Sequence, residues 1–332
     1  MWLAEHVELL EPPMSFELIA GGRSNLTFLV KAANGHRAVV RRPPVSHVLP
    51  TAHDMSREHR IISALATTAV PVAPALGFCD DLSVTGSTFY VMGYVDGYVL
   101  RDADTALKLS EPARRAAGNS LIDVLADLHA VDPDEVGLSE LGKKDGYIER
   151  QLRRWLGQYQ HSQAPGLAAV PRVEQVHGLL ASSIPRQGPA TIVHGDYRLD
   201  NAIVDSSGQL KAVLDWEICT LGDPLADMGL LMVYWSEPGE RDPVLGEAPT
   251  VVEGFPTREE LCERYSKRSG RDLSDLGFFI SFGYWKLACI LQGVVARYLS
   301  GAGGGDPSGV EGLGRQVTIL ADAAYRALME KR

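Results

Sequence analysis

The chain has 332 residues, 45% hydrophobic and 22% charged, enough apolar material for one large core or two modest ones. A formal net charge of −10 with no arginine-rich run excludes an electrostatic footprint for nucleic acid and leaves small molecules or proteins as partners. The apolar stretch 287–296 is broken by Gln292 and falls short of the roughly 20 residues that span a bilayer, so no membrane span is expected.

Residues 1–6 carry no basic segment and no long apolar run, so export is not expected and a cytoplasmic location is. From residue 16 to 94 the pattern is strand-like, with apolar or alternating runs at 27–30, 37–41 and 88–92 and a turn signal at 33–35. One helix, 54–65, interrupts it with Ile61, Ile62 and Leu65 on one side. Beyond 96–97 helices dominate, at 111–129, 147–159, 173–183, 258–268, 276–300 and 314–331, the last two separated by a glycine-rich loop at 301–307. A β insertion is expected at 191–216. Cys79, Cys219, Cys262 and Cys289 show no metal spacing and read as small core residues. The whole is an α+β chain: a smaller mixed lobe (1–95), a short connector at 93–97 and a larger helical lobe (96–332), with a cleft between them as the expected ligand site.

The most informative stretch is HGDYRLDN at 194–201, followed by two apolar runs around the turn signal at 206–208 and then DWE at 215–217. Folding this segment into a hairpin brings Asn201 and Asp215 to the same end, with Asp196 on the preceding loop. Oxygen-only ligands of this kind suit Mg²⁺, which takes one or two carboxylates and completes its shell with phosphate oxygens and water. Asp196, five residues before Asn201, is placed to accept a proton from a substrate hydroxyl. Each residue alone reads as a turn-former or cap; their joint spacing on a loop and hairpin is what points to a site.

A second element, AGGRSNLT at 20–27, lies between two strand-like runs. Its glycines, Gly22 among them, let backbone N–H groups approach phosphates, and Ser24 or Asn25 can add side-chain donors. By itself it reads as a hairpin turn. A cation on a strand and a helix carboxylate to hold it are the remaining parts that phosphate binding asks for. Arg41 and Glu58 are the candidates. Arg42 is the alternative cation, because strand alternation sends neighbours to opposite faces. Glu58 also fits a plain surface charge in the first turn of a helix.

HGD-x4-N, the following DW-E and GDPLAD at 222–227 together resemble the aminoglycoside phosphotransferase and choline kinase group, a branch of the protein-kinase-like fold. The likeness is strongest to the phosphotransferase-like domain that some acyl-CoA dehydrogenases carry, through GRSNLT at 22–27, VRRPP at 40–44 and DWEICTLGDP at 215–224. The resemblance implies a two-lobed fold and transfer of the γ-phosphoryl group of ATP or GTP, with Mg²⁺, to a small-molecule hydroxyl. By position it makes Asp196 the catalytic base, Asn201 and Asp215 the metal ligands, and Asp227 a brace for the catalytic loop. His194 becomes a loop-shaping residue. Arg41 stands where the family commonly has lysine, a longer and planar cation. At 91–97, VMGYVDG matches the passage between lobes, where Gly93, Tyr94 and Val95 would lie against the base and Met92 behind it.

The acceptors implied are a hydroxyacyl thioester or another metabolite alcohol, with an aminoglycoside second. The segment 234–260 shows no single cluster of carboxylates for a polycationic antibiotic. Acceptor-pocket candidates are Tyr234, Trp235, Tyr284, Trp285 and Arg297. The rival from another class is a nucleotide-binding scaffold without turnover, which the arginine at the lysine position favours and the Asp196, Asn201 and Asp215 set opposes.

Overall fold

The structure, a computed structural model, describes residues 2–21, 25–44, 54–163, 169–240, 248–299 and 310–330. Helix α1 (Trp2–His6) leads into β1 (Met14–Gly21), β2 (Leu26–Ala32) and β3 (Arg37–Arg42). Next come α2 (Met55–Leu65), β4 (Ala75–Cys79), the one-turn α3 (Leu82–Thr85) and β5 (Phe89–Gly93). The strands form one antiparallel sheet in the order β1-β2-β3-β5-β4. Strand alternation divides its two faces. Val30, Ala38, Val40, Phe89 and Val91 pack against Leu3, Val7 and Leu10. Val39, Tyr90 and Met92 belong to the core that takes Ile61, Ile62 and Leu65 of α2. Arg41 is two residues beyond Val39 and shares this second face. Helix α2 starts where Asp54 accepts the backbone N–H of Arg57 at 3.0 Å.

The larger lobe contains α4 (Ala103–Ala106), α5 (Glu111–Ala130), α6 (Tyr147–His161), α7 (Pro171–Ala181), α8 (Leu225–Tyr234), α9 (Arg258–Ser269), α10 (Leu276–Leu299) and α11 (Val310–Met329). Between α7 and α8 run β6 (Thr191–Val193), β7 (Ala202–Val204), β8 (Leu210–Val213) and β9 (Thr220–Gly222). The expected β insertion is therefore two ladders. β7 and β8 make the anticipated hairpin, while β6 pairs with β9, Thr191 opposite Gly222. That second pairing closes a long loop and leaves no local pattern. Helix α8 was also unmarked in the sequence, because every residue from Leu225 to Val233 is buried and an all-apolar helix has no 3.6-residue periodicity. It lies close against α10: a Cβ on Gly229 would come 2.4 Å from the Phe279 carbonyl carbon.

Helix α10 contains the apolar run around 287–296 and is longer than the sequence argument considered. By length and composition it could cross a membrane, yet 72% of its most apolar window is buried, and it packs on α6, α7, α8 and α11 as the core helix of a globular lobe does. The four cysteines are free; Cys79, Cys219 and Cys289 are buried and Cys262 is half-buried.

The β7–β8 hairpin is tied to the small lobe at one point and to the chain just after the connector at another. The Val213 N–H donates to the Pro71 carbonyl at 2.9 Å, and Tyr98 exchanges backbone bonds with Val204 at 2.7 and 2.9 Å. Gly97 makes the second tie possible. Its φ of +155° and the approach of the Val204 carbonyl oxygen, 2.5 Å from where a Cβ would sit, leave room only for glycine.

Candidate functional site

Hairpin and sheet face each other across a cavity of about 400 Å³ whose walls include Val39, Arg41, Met92, Gly93, Tyr94, Val95, Asp200, Asn201 and Asp215. The sequence candidates Arg41, Met92, Gly93, Tyr94 and Val95 of the small lobe and Asn201 and Asp215 of the large one thus line one cleft, while Asn25, Glu58 and Asp196 lie behind its wall residues. Gly22 and Ser24 lie outside the described residues, as does the loop at 301–307.

Arg41 is the cation that faces the cleft, which decides between it and Arg42. Its Nη2 lies 2.6 Å from Asp215 Oδ1 and 3.8 Å from Glu217 Oε2, and its Nε 3.2 Å from Glu58 Oε2. Glu58 is only 1% exposed, so it is not a surface helix charge. Tyr90 donates its hydroxyl to Glu58 Oε2 at 3.0 Å. Burial pushes the Glu58 carboxyl up to about 7; Arg41 opposes this, while Asp215 and Glu217 add to it. Burial works against the charge on Arg41, but Glu58, Tyr90 and Asp215 outweigh it and raise its pKa. Asn25 departs from the expected role of phosphate donor. It is buried, and its amide donates to Glu58 at 3.1 Å and Glu217 at 3.3 Å, bracing the carboxylates around Arg41. A short polar side chain after a glycine turn carries no signal for which way it points.

Asp215 has φ of +61°, the one non-glycine residue with positive φ among those described. Aspartate tolerates this region better than most residues, and such backbone clusters at functional sites. The Leu214 N–H donates to the Asn201 carbonyl at 2.8 Å, holding the two hairpin ends together. Asn201 Nδ2 donates to Asp196 twice, to the backbone oxygen at 2.8 Å and to Oδ2 at 2.9 Å. That leaves the Asn201 carboxamide oxygen as the atom free to meet a cation. Among the described residues no three His, Cys, Asp or Glu side chains gather into a cage. One carboxylate and one carboxamide oxygen on a shared cavity wall still fit Mg²⁺, which draws its other ligands from phosphate and water.

The loop bearing Asp196 is held from below. Asp227 accepts the backbone N–H of His194 at 2.6 Å and of Gly195 at 2.7 Å, and its Oδ2 lies 3.4 Å from His129 Nε2. His194 is buried, with Nε2 at 2.8 Å from the Leu214 carbonyl and Nδ1 accepting the Asp196 N–H at 3.2 Å. Asp227 and His194 therefore shape the loop through its backbone. Burial disfavours the Asp227 charge, but His129, His194 and the Gly195 N–H outweigh it and hold the carboxyl below its usual range. Burial lowers the His129 pKa against the pull of Asp227.

Replacing Asp227 with Asn should cost about 3 kcal/mol or more in a urea titration at neutral pH, because two buried N–H groups lose a charged acceptor. A carboxyl whose folded pKa is depressed contributes stability that is present above its unfolded value of 3.8 and is lost as pH falls through the folded value. The gap between wild type and variant should accordingly narrow below that pH; a gap independent of pH would contradict the assignment.

Several site residues escaped the sequence reading. Lys286 of α10 is buried and donates to the Gly195 carbonyl at 2.8 Å, its pKa lowered by burial against the pull of Asp196 and Asp227. A lone lysine in an apolar helix was the available signal. Arg198, inside the HGDYRLDN motif, places Nε 3.6 Å from Asp196 Oδ2 and Nη2 3.0 Å from Asp200. Of the acceptor candidates, Tyr234 and Trp235 line a second, smaller cavity next to this arginine. Burial and the nearby Asp196 charge raise the pKa of the Tyr234 hydroxyl. Trp285 is buried and donates to the Val173 carbonyl at 2.8 Å.

The family model described as "Phosphotransferase enzyme family" matches residues 15–261. Acyl-CoA dehydrogenase family member 10 of Mus musculus is 36% identical over 294 residues, which cover 87% of this chain and 27% of that protein, so the chain spans about a quarter of its length. A crystal structure of a putative aminoglycoside phosphotransferase from Ralstonia eutropha JMP134 superposes with a TM-score of 0.82 at 33% identity, covering 99% of this chain and 96% of that one. Sharing the fold at 16% identity and a TM-score of 0.63 is an aminoglycoside phosphotransferase solved as a ternary complex with AMP-PNP and hygromycin B, covering 94% of this chain and 93% of that one. Motif, two-lobed protein-kinase-like fold and matched length agree: the chain belongs to the phosphotransferase enzyme family.

Proposed function

We propose that the protein transfers the γ-phosphoryl group of ATP, or of GTP, to the hydroxyl of a small molecule, with Mg²⁺. The observation that carries this reading is that Arg41, Asn201 and Asp215 line one cleft while Asp196 is hydrogen-bonded to Asn201 at its edge. The relative bound to AMP-PNP and hygromycin B supports a nucleotide and a small alcohol as the two ligands.

The base would lie between Val39 and Met92 on the sheet side and Ile203 and Val213 of the hairpin. The Gly93 N–H is already donated to the Pro74 carbonyl at 2.8 Å, so Gly93 offers its carbonyl to the base and Val95 its N–H. Arg41, fixed by Glu58, would release Asp215 to clamp the α- and β-phosphates with its planar fork. Asn201 and Asp215 would hold Mg²⁺, which neutralises phosphate charge when bound. Asp196 accepts the acceptor's proton as the acceptor oxygen bonds to the γ-phosphorus. The bond from that phosphorus to the β,γ-bridging oxygen breaks, and the nucleoside diphosphate leaves. Asn201 orients the Asp196 carboxylate for this, and Asp227 and Lys286 hold its loop through His194 and Gly195.

Calorimetric titration with ATP, followed by label transfer from γ-labelled ATP to a panel of alcohols, tests the reading. Magnesium-dependent binding with transfer to at least one alcohol is expected. Tight binding with neither transfer nor slow hydrolysis would favour the scaffold alternative, and no binding would remove the nucleotide altogether.

A further inference from the structure

We infer that the acceptor alcohol carries an oxyanion, held between Arg101 and Arg198 in the small cavity that opens beside Asp196. The inference rests on the phosphotransferase reading and narrows its acceptor. The cavity measures about 90 Å³ and is walled by Arg101, Arg198, Leu199, Asp200, Tyr234 and Trp235 among others. Arg101 and Asp200 also line the large cleft, so the two spaces adjoin. Asp196 touches one wall residue of each cavity, bonded to Asn201 of the large cleft and 3.6 Å from Arg198 of the small one.

The charges in the small cavity favour an anion. Arg198 is held flat, its guanidinium carbon 4.6 Å above the Tyr234 ring and its Nη2 3.0 Å from Asp200. Its Nε is buried and has no hydrogen-bond partner among the described residues. Arg101 has no ion-pair partner among the described residues. Asp200, the one carboxylate among the described residues of this wall, is paired with Arg198, which Asp196 also approaches at 3.6 Å. The Arg101 guanidinium, with the remaining Arg198 N–H groups beside it, is left to offer donors to an oxyanion, and guanidinium forks match carboxylate and phosphate geometry. A polycationic aminoglycoside would find no unengaged carboxylate among these described residues. The cavity has room for a carboxylate or phosphate head. An acceptor anchored there by its anion reaches Asp196 with a hydroxyl only a few bonds away.

The oxyanion could be the carboxylate of a short hydroxy acid or the phosphate of a phosphorylated carrier, and the test separates them. With Mg·ATP and the full chain, kcat/KM is compared for short hydroxy acids, their methyl esters, phosphate monoesters of the matching diols, hydroxyacyl-CoA thioesters and kanamycin. Binding of the same compounds is followed by calorimetric titration. Acids are expected to exceed their esters by about tenfold or more if the carboxylate is recognised. Phosphorylated acceptors lead by a similar factor if phosphate is the anchor. Arg101→Ala should shrink the ratio of anion to neutral ester in kcat/KM toward one, and Arg101→Lys should restore part of it. Equal rates for acid, phosphate and ester, preference for kanamycin, or no calorimetric binding of either anion would overturn the inference while ATP binding stands. Loss of ATP binding itself, measured first, would instead overturn the phosphotransferase reading beneath it.

Discussion

Asp196→Asn should bind ATP and magnesium as wild type does and lose turnover by about 10²- to 10⁴-fold, the range of a positioned general base. Asparagine keeps the size of the side chain and can still accept the Asn201 amide, which lies 2.9 Å from Oδ2 in the native chain. The loop beneath is held through backbone atoms by Asp227 and Lys286 and does not depend on the Asp196 charge. What the variant lacks is a proton acceptor. The measurement is label transfer from γ-labelled ATP alongside a calorimetric titration. Full turnover in the variant would remove Asp196 from the mechanism.

Asp215→Asn should act on the other side of the reaction and weaken magnesium-dependent ATP binding by about 10²-fold or more. Loss of a group that merely supports a metal ligand typically costs about 10- to 100-fold, and Asp215 is assigned as the ligand itself. Asparagine suits the backbone at φ +61° as well as aspartate does, so the hairpin should survive the change. Arg41 would lose its 2.6 Å partner but keep Glu58 at 3.2 Å, which separates a metal effect from collapse of the cation cluster. Titrating ATP at low and saturating Mg²⁺ reads the effect. An unchanged magnesium dependence would count against Asp215 as a ligand.

Local pattern carried much of this site. The hairpin turn at 206–208 and the period of two on either side placed Asn201 and Asp215 together, and the backbone bond from Leu214 to Asn201 shows how closely. Helix α2 was legible because its apolar residues recur at helical spacing after an N-cap aspartate. Where burial is complete, pattern disappears: α8 has no polar face to mark its period. Where pairing is distant, as between β6 and β9, no short window contains both partners. The choice of Arg41 over Arg42 needed the face to which Val39 belongs, a property of the packed sheet. Arg101 and Arg198 are far apart in the chain and meet only once the connector is pinned to β7 through Tyr98. Asn25 shows the converse: residue type allowed a phosphate donor, and packing gave its amide to Glu58 and Glu217 instead.

The arrangement is tested most directly by diffraction from crystals grown with AMP-PNP and Mn²⁺, a cation whose anomalous signal marks its position. A peak within bonding distance of both the Asn201 carboxamide oxygen and the Asp215 carboxylate, with the triphosphate reaching toward Asp196, is the expected result. A nucleotide bound in the cleft with its metal held by other residues, or with the γ-phosphate turned away from Asp196, would contradict it.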